Sequence, residues 1–230
     1  VLQPSTRGNG GAVAAAVGLA PRCDTPLTFS ADLVLPLGAE DTDFFLFDCT
    51  ILNSRRLSEA AEEIAAAEHE HGIPELFLQA LAREESAFDA QVVSWAGAYG
   101  LTQLLLSTAK GAGKMLTPQI HIKKASELFD PVLNARLGGA FMASLISRFK
   151  GSTGLALCGY NAALRTANIW WKRHAGDAFD VFAEELTIKE TRKYVKRVHQ
   201  TWGIYRWLYQ DMVPALPTDP IPGTTQTALR

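Results

Sequence analysis

A chain of 230 residues that is 47% hydrophobic and 20% charged can bury a sizeable core, as one domain with extensions or as two small ones. That composition lies outside the range of disordered proteins. A formal net charge of −2 supplies no strong pull toward nucleic acid or anionic membranes, so neither is an expected partner. No apolar run reaches the roughly 18 residues of a spanning helix.

Residues 1–53 differ from the remainder. Gly and Pro punctuate them (RGNGG, LAPRC, VLPLGAED), and the run FFLFDCTIL carries strand-like aromatic and branched residues. GAVAAAVGLA faintly resembles the apolar part of a signal peptide, but a packed alanine-rich helix is the preferred reading. The segment is expected to be an N-terminal extension or the end of a preceding domain, and Val1 in place of Met leads us to expect residues before it. Cys23 and Cys49 could pair in an oxidising compartment. Cys158, within LALCGY, reads as a small buried hydrophobe.

The helical signal begins near Ser54 and runs to about residue 210. RRLSEAAEEIAAAEHEHG is rich in Ala and Glu and stops at Gly72, a C-cap residue. Pro74 suits the first position of a second helix, PELFLQALAREESAFDA. A loop with Gly97 and Gly100 leads into a third, LTQLLLSTAK. PVLNARLGGAFMASLISRFK, GLALCGYNAA, DAFDVFAEEL and KETRKYVKRVHQTWGIYRWLY supply the others, with Gly or Asp-Pro breaks between them. Trp170, Trp171, Trp202 and Trp207 read as core anchors. The tail, 211–230, is Pro- and Thr-rich and reads as a linker or a disordered end. The predicted architecture is mainly α.

Two adjacent carboxylates stand out on the second helix. At about 100° per residue, Phe77, Leu78, Leu81 and Phe88 form one apolar face, with Glu85 about 40° and Glu84 about 60° from its centre. Gln79, Arg83 and Ser86 are expected to point away. A carboxyl at such a border is partly desolvated, which raises its pKa and lets it hold a proton near neutral pH, as a general acid must. A glutamate that reaches solvent or pairs with a cation such as Arg83 is the simpler reading, and on the helix alone it leads.

Further along, SWAGAYGLTQ combines two glycines, which let backbone approach closely, with Gln103, which offers both a donor and an acceptor. GYNAA and ETRKYVKRV follow, and in the latter Glu190 and Tyr194 share a helix face. The ordered set E-S-x-F, S-x-x-G-A-x-G-L-x-Q, LFDPxxNxxLG, YNA and ETRxYVKRV resembles the catalytic domain of the soluble lytic transglycosylases, from about residue 60 to 209. These bacterial enzymes cleave peptidoglycan on a goose-type-lysozyme-like fold. Each motif is weak alone; five in this order are specific.

The resemblance implies a lysozyme-like helical domain over 54–210 with Glu85, the glutamate before serine, as the catalytic residue. Glu84 stands where the family commonly has glutamine and is expected to be solvated or paired. Ser86 and Ser94 correspond to serines lining the site, Gly100 belongs to the glycine loop beside it, and Gln103 matches a sugar-contacting glutamine. Tyr160 and Asn161 match a tyrosine–asparagine pair whose hydroxyl is expected to orient the catalytic carboxyl. Glu190 matches a glutamate across the groove, with Tyr194 near it.

The implied reaction uses one carboxyl rather than the usual two. Glu85 would protonate the oxygen between N-acetylmuramic acid and N-acetylglucosamine, then take a proton from the muramoyl 6-hydroxyl, leaving a 1,6-anhydro product. It needs no cofactor. His69, His71 and His121 show no metal-ligand spacing. The implied partner is the glycan strand of peptidoglycan, which places the protein in the periplasm or cell envelope. Two other readings stay open: a hydrolase on the same fold, and a glycan-binding module without turnover. The family's usual YNAG-P-G-R is replaced by YNAALRTA, which removes glycine at Ala163 and is expected to alter the groove. Leu105 stands where many relatives have methionine.

Overall fold

The computed structural model describes residues 55–213, 217 and 219–224. The alanine-rich run, the strand-like run and Cys23 and Cys49 lie outside them. Helix α1, Arg55–His71, ends at Gly72, whose φ of +63° is cheap only for glycine. The chain from Ala60 onward forms one compact unit.

Helix α2, Phe77–Ser86, is shorter than the sequence reading. Pro74 does not open it: Leu76 takes a left-handed conformation at the N-cap and supplies no side-chain cap. The cap comes from α1 instead. The buried Glu68 carboxylate accepts bonds from the N–H groups of Leu76 at 3.0 Å, Leu78 at 2.6 Å and Gln79 at 3.0 Å, and from Gln79 Nε2 at 3.1 Å. These are the donors that a helix N-terminus leaves without intrahelical partners. At the other end Ala87 and Phe88 both have positive φ, so Phe88 stays in the core although it lies past the helix.

LTQLLLSTAK is not one helix. Residues 101–103 form a turn, and β1 (Ala98–Tyr99) pairs antiparallel with β2 (Leu104–Leu105) before α3 (Leu106–Gly113) begins. Beneath this hairpin Leu104, Ala109, Ala112, Leu128 and Leu137 form an apolar cluster. A 3-10 turn, Ala125–Phe129, leads to α4, Pro131–Arg148, which Asp130 caps by accepting from Leu133 N at 2.9 Å. Ser152 caps α5, Thr153–Asn161.

The sequence reading passed over α6, Leu164–His174, which buries Ala167, Trp170 and His174. Their three- and four-residue spacing was a helical signal; the absence of a capping side chain at Ala163 obscured the start. Helix α7 is Phe179–Glu185, and α8, Lys189–Gln210, lies along α2. The Trp202 ring meets Phe77 edge-on at 5.1 Å and its N–H donates to Glu75 O, while Trp170 is buried; both act as core anchors.

Part of the tail is docked. Ile221 is buried and exchanges backbone bonds with the loop after α6 (Ile221 N to Asp177 O and Gly176 N to Ile221 O, both 2.8 Å), and Trp171 Nε1 donates to Pro222 O. No helix among the described residues is long and apolar enough to cross a membrane.

Candidate active site

The C-terminal turn of α2 delivers Glu85 to the place where α2 passes under α8. Tyr194, Val198, Thr201 and Tyr205 are buried along one stripe of α8, the spacing that lets a helix face its neighbour. On that stripe Tyr194 donates from its hydroxyl to Glu85 Oε1 at 2.6 Å. Burial raises the Glu85 carboxyl to about 7, against the downward pulls of the Tyr194 bond and the Arg197 cation and with a small upward push from Glu84. Glu85 can therefore hold a proton near neutral pH.

Glu84 is paired. Thr201 Oγ1 donates to its Oε1 at 2.7 Å, and Arg197 Nε lies 3.4 Å from its Oε2. Its cation partner is on α8, not the neighbouring Arg83. Asp89, just beyond the helix, accepts from Gln91 N at 2.8 Å and shapes a turn.

Ser86 was expected on the outer face of α2 and is instead buried. Its hydroxyl donates to Leu101 O at 2.8 Å, with Ala82 O at 3.1 Å as a second acceptor. The reason is geometric: the loop 91–103 folds over the end of α2 and turns that side inward. Ser86 thus ties the helix bearing Glu85 to the loop bearing Gln103.

That loop is held from several sides. Gly100, with φ of +73°, passes so close to the 3-10 turn and α4 that an added Cβ would lie 2.3 Å from Leu128 O and 2.4 Å from Asn134 Nδ2. Only glycine fits there. The buried Asn134 side chain accepts from Thr102 N at 2.9 Å and Thr102 Oγ1 at 2.7 Å, and donates to Tyr99 O and Leu128 O, both at 2.9 Å. It is the asparagine of LFDPxxNxxLG, and it uses both ends of its amide to fix the loop. The motif by itself assigns Asn134 no task; a polar residue at a core-facing helix position is the signal that could have found it.

Gln103 sits in the turn with φ of +48°, not in the following helix. Its Nε2 donates to Val92 O at 3.1 Å and Gly100 O at 2.9 Å. Two flanking carbonyls require the NH2 end there, which leaves Oε1 as the acceptor free to meet a ligand. Ser94 braces the loop tip, its Oγ accepting from Ala98 N at 3.0 Å.

Tyr160 does not orient Glu85. Its hydroxyl donates to Thr102 O at 2.8 Å, and the bond to the catalytic candidate comes from Tyr194. Asn161 Oδ1 accepts from Thr191 Oγ1 at 2.7 Å, which joins the end of α5 to the first turn of α8. Glu190 is exposed in that first turn and makes no contact with Glu85 in the way Tyr194 does. Ala163, at the altered YNAALRTA loop, has φ of +71° and ψ of 150°, a region populated almost solely by glycine.

Glu85, Ser86, Gly100, Gln103, Tyr160 and Tyr194 are thus joined through α2, the loop, α5 and α8. Among the described residues no group of three or more His, Cys, Asp or Glu side chains is placed to hold a metal ion.

The chain is similar to known proteins in sequence and in fold. The soluble lytic murein transglycosylase of Escherichia coli K12 is 31% identical over 140 residues, covering 60% of this chain and 22% of that protein. The membrane-bound lytic murein transglycosylase C of Salmonella typhimurium LT2 is 26% identical over 167 residues, covering 62% of this chain and 45% of its own length. Among solved structures, an inactive mutant of lytic transglycosylase Slt from Pseudomonas aeruginosa superposes with a TM-score of 0.62 at 31% identity, covering 68% of this chain and 25% of that one. The 70 kDa soluble lytic transglycosylase of Escherichia coli gives a TM-score of 0.61 at 28% identity, covering 66% and 24%. The chain spans about a quarter of the length of these soluble relatives. The expected mainly α, lysozyme-like fold holds. The model of the transglycosylase SLT domain family matches residues 62–182, more than half of the chain, and the protein belongs to that family.

Proposed function

We propose that this chain is the catalytic domain of a peptidoglycan lytic transglycosylase, and that Glu85 is its single acid and base. The observation that carries the reading is one carboxyl, raised to about 7 by burial and held by Tyr194 at 2.6 Å. In its protonated form Glu85 donates to the glycosidic oxygen between N-acetylmuramic acid and N-acetylglucosamine, and the C1–O bond breaks. The substrate's own 2-acetamido oxygen stabilises the positive charge at C1. The ionised Glu85 then takes the proton of the muramoyl 6-hydroxyl, whose oxygen bonds to C1 and closes the 1,6-anhydro ring. Glu85 ends protonated, and no water is consumed.

Among the described residues, a nucleophilic carboxylate, the second partner of most glycosidases, has no support beside Glu85. Glu84 is engaged by Thr201 and Arg197, and Asp89 by a turn N–H. Tyr194 steadies the ionised intermediate and sets the carboxyl's direction. Gln103 presents Oε1 to a sugar N–H or hydroxyl, and Ser94, Asn161 and Glu190 border the same groove. Peptidoglycan as substrate places the protein in the periplasm or cell envelope.

The test is mass spectrometry of muropeptides from purified peptidoglycan incubated with the wild type, Glu84→Gln and Glu85→Gln. Anhydro-muropeptides from the first two and none from Glu85→Gln are the expected result. Reducing-end products would make the protein a hydrolase, and no products from folded wild type would make it a binding module.

A further inference from the structure

The loop that carries Gln103 also carries the most exposed large apolar side chain among the described residues. Trp95 is 96% exposed. An indole offers about 150–250 Å² of largely apolar surface, and folded chains normally bury most of it. A mobile tip would explain nothing, and this tip is braced. Gly97 N donates to Ser94 O at 3.0 Å, Ser94 N to Ala98 O at 3.0 Å, and Ala98 N to Ser94 Oγ at 3.0 Å; Gly97 turns the chain with φ of +73°. The turn from Ser94 to Ala98 is closed on itself by three hydrogen bonds and holds the ring out.

Two further apolar side chains flank the turn. Val93, 49% exposed, bridges to Tyr99, and Leu105, 43% exposed, lies opposite Ala98 in the β1–β2 ladder. By the alternation of side chains along a strand, Val93 and Leu105 lie on opposite faces of the small sheet, and Trp95 stands alone at the turn between them. The support is shared with the site: Val92 O accepts from both Gly100 N and Gln103 Nε2, so the residues beside the platform and the sugar-facing glutamine are fixed to one another.

We infer that Trp95 is a sugar-stacking platform, which extends the groove beyond the residues around Glu85 and engages a further ring of the glycan strand. This rests on the proposed glycan substrate. In a β-1,4-linked chain of 2-acetamido sugars the ring substituents are equatorial, so each pyranose has a flat face of C–H bonds. Such a face fits an indole. An exposed indole on a braced turn, in the loop that also carries Gln103, is an arrangement that suits this ligand.

The experiment uses the Glu85→Gln protein, which does not consume ligand, and a hexamer of β-1,4-linked N-acetylglucosamine. Affinity is read by calorimetry and by tryptophan emission. Trp95→Ala in that background is expected to weaken hexamer binding about tenfold, as loss of one stacked ring does, and to remove the emission change. Trp95→Phe is expected to stay within about threefold of the parent, because a phenyl face still stacks. The side chain is exposed, so thermal melts of both variants should match the parent. Equal affinity of Trp95→Ala and its parent overturns the platform, as does an equal loss in Trp95→Phe. Vesicle binding that depends on Trp95 while hexamer affinity does not also overturns it, in favour of a lipid surface. Cleavage of peptidoglycan by the otherwise wild-type chain separates the two ideas. If it cleaves and Trp95 is silent, only the platform fails; if it neither cleaves nor binds, the glycan reading falls with it.

Discussion

Substituting Tyr194 by Phe removes the hydrogen bond that the Glu85 carboxyl receives from α8. Burial pushes that carboxyl up to about 7, and the Tyr194 bond is the largest influence holding it down. A hydrogen bond to a charged group contributes about 1.5–3 kcal/mol, and about 1.4 kcal/mol corresponds to one pH unit, so the variant's Glu85 should titrate at about 8 to 9. The protonated form is the one that donates to the glycosidic oxygen. kcat/KM follows the ionisation of the free enzyme, so it falls on the alkaline side as Glu85 loses its proton. In Tyr194→Phe that alkaline limb should move up by about one to two pH units, with a lower plateau because the ionised intermediate is less well held. The assay is the initial rate of muropeptide release between about pH 5 and pH 10, with circular dichroism confirming the fold at each end. An alkaline limb that stays in place or moves down would refute the reasoning, since it would mean that Tyr194 does not favour the ionised carboxyl.

Glu85→Gln should abolish cleavage and change stability in a pH-dependent way. Because the folded carboxyl titrates at about 7 rather than the ordinary 4.5, its contribution is present below the lower value and lost as pH rises through the upper one. The variant should match the wild type at acid pH and exceed it above neutrality by about 1–3 kcal/mol, allowing for partial exposure; urea titrations at both pH values check this. Ala163→Gly should stabilise the protein. A backbone near φ +71° and ψ 150° costs a non-glycine residue about 1–3 kcal/mol, and glycine's larger unfolded-state entropy returns about 0.4–1 kcal/mol of that, so a net gain of about 1–2 kcal/mol is expected in thermal melts. Glu68→Ala should cost about 2–4 kcal/mol in denaturant titrations, because α2 loses its only side-chain cap and the Leu78 N–H is left buried without a partner.

Local patterns made most of the helices readable. Ala- and Glu-rich segments, Gly72 past the end of α1, and the Asp130-Pro131 start of α4 all act within a few residues, and each element formed where its neighbours in sequence called for it. Misreadings came where a distant group overrode the local pattern. Pro74 suited a helix start, but Glu68 reaches α2 from α1 and sets its first turn at Phe77. LTQLLLSTAK had helical composition, yet Asn134 and the Gly100 contact with α4 hold its first residues in a turn and a strand. Helix α6 was missed because Ala163 gives no cap, although its buried spacing was present.

For the site, the sequence alone determined that a glutamate followed by serine would stand at the edge of a helical core, and that glycine, glutamine, tyrosine and asparagine motifs would accompany it in order. Chain order and periodicity suffice for that, because one helix face and one turn depend on nearby residues. Which of two adjacent glutamates is desolvated, and which tyrosine bonds to it, depended on the crossing of α2 and α8. That crossing joins Tyr194 to Glu85 and gives Glu84 to Thr201 and Arg197, while Tyr160 turns to Thr102. Residues more than 100 positions apart meet there, and no spacing along the chain encodes the angle at which two packed helices present their side chains. Only the tertiary structure decided it.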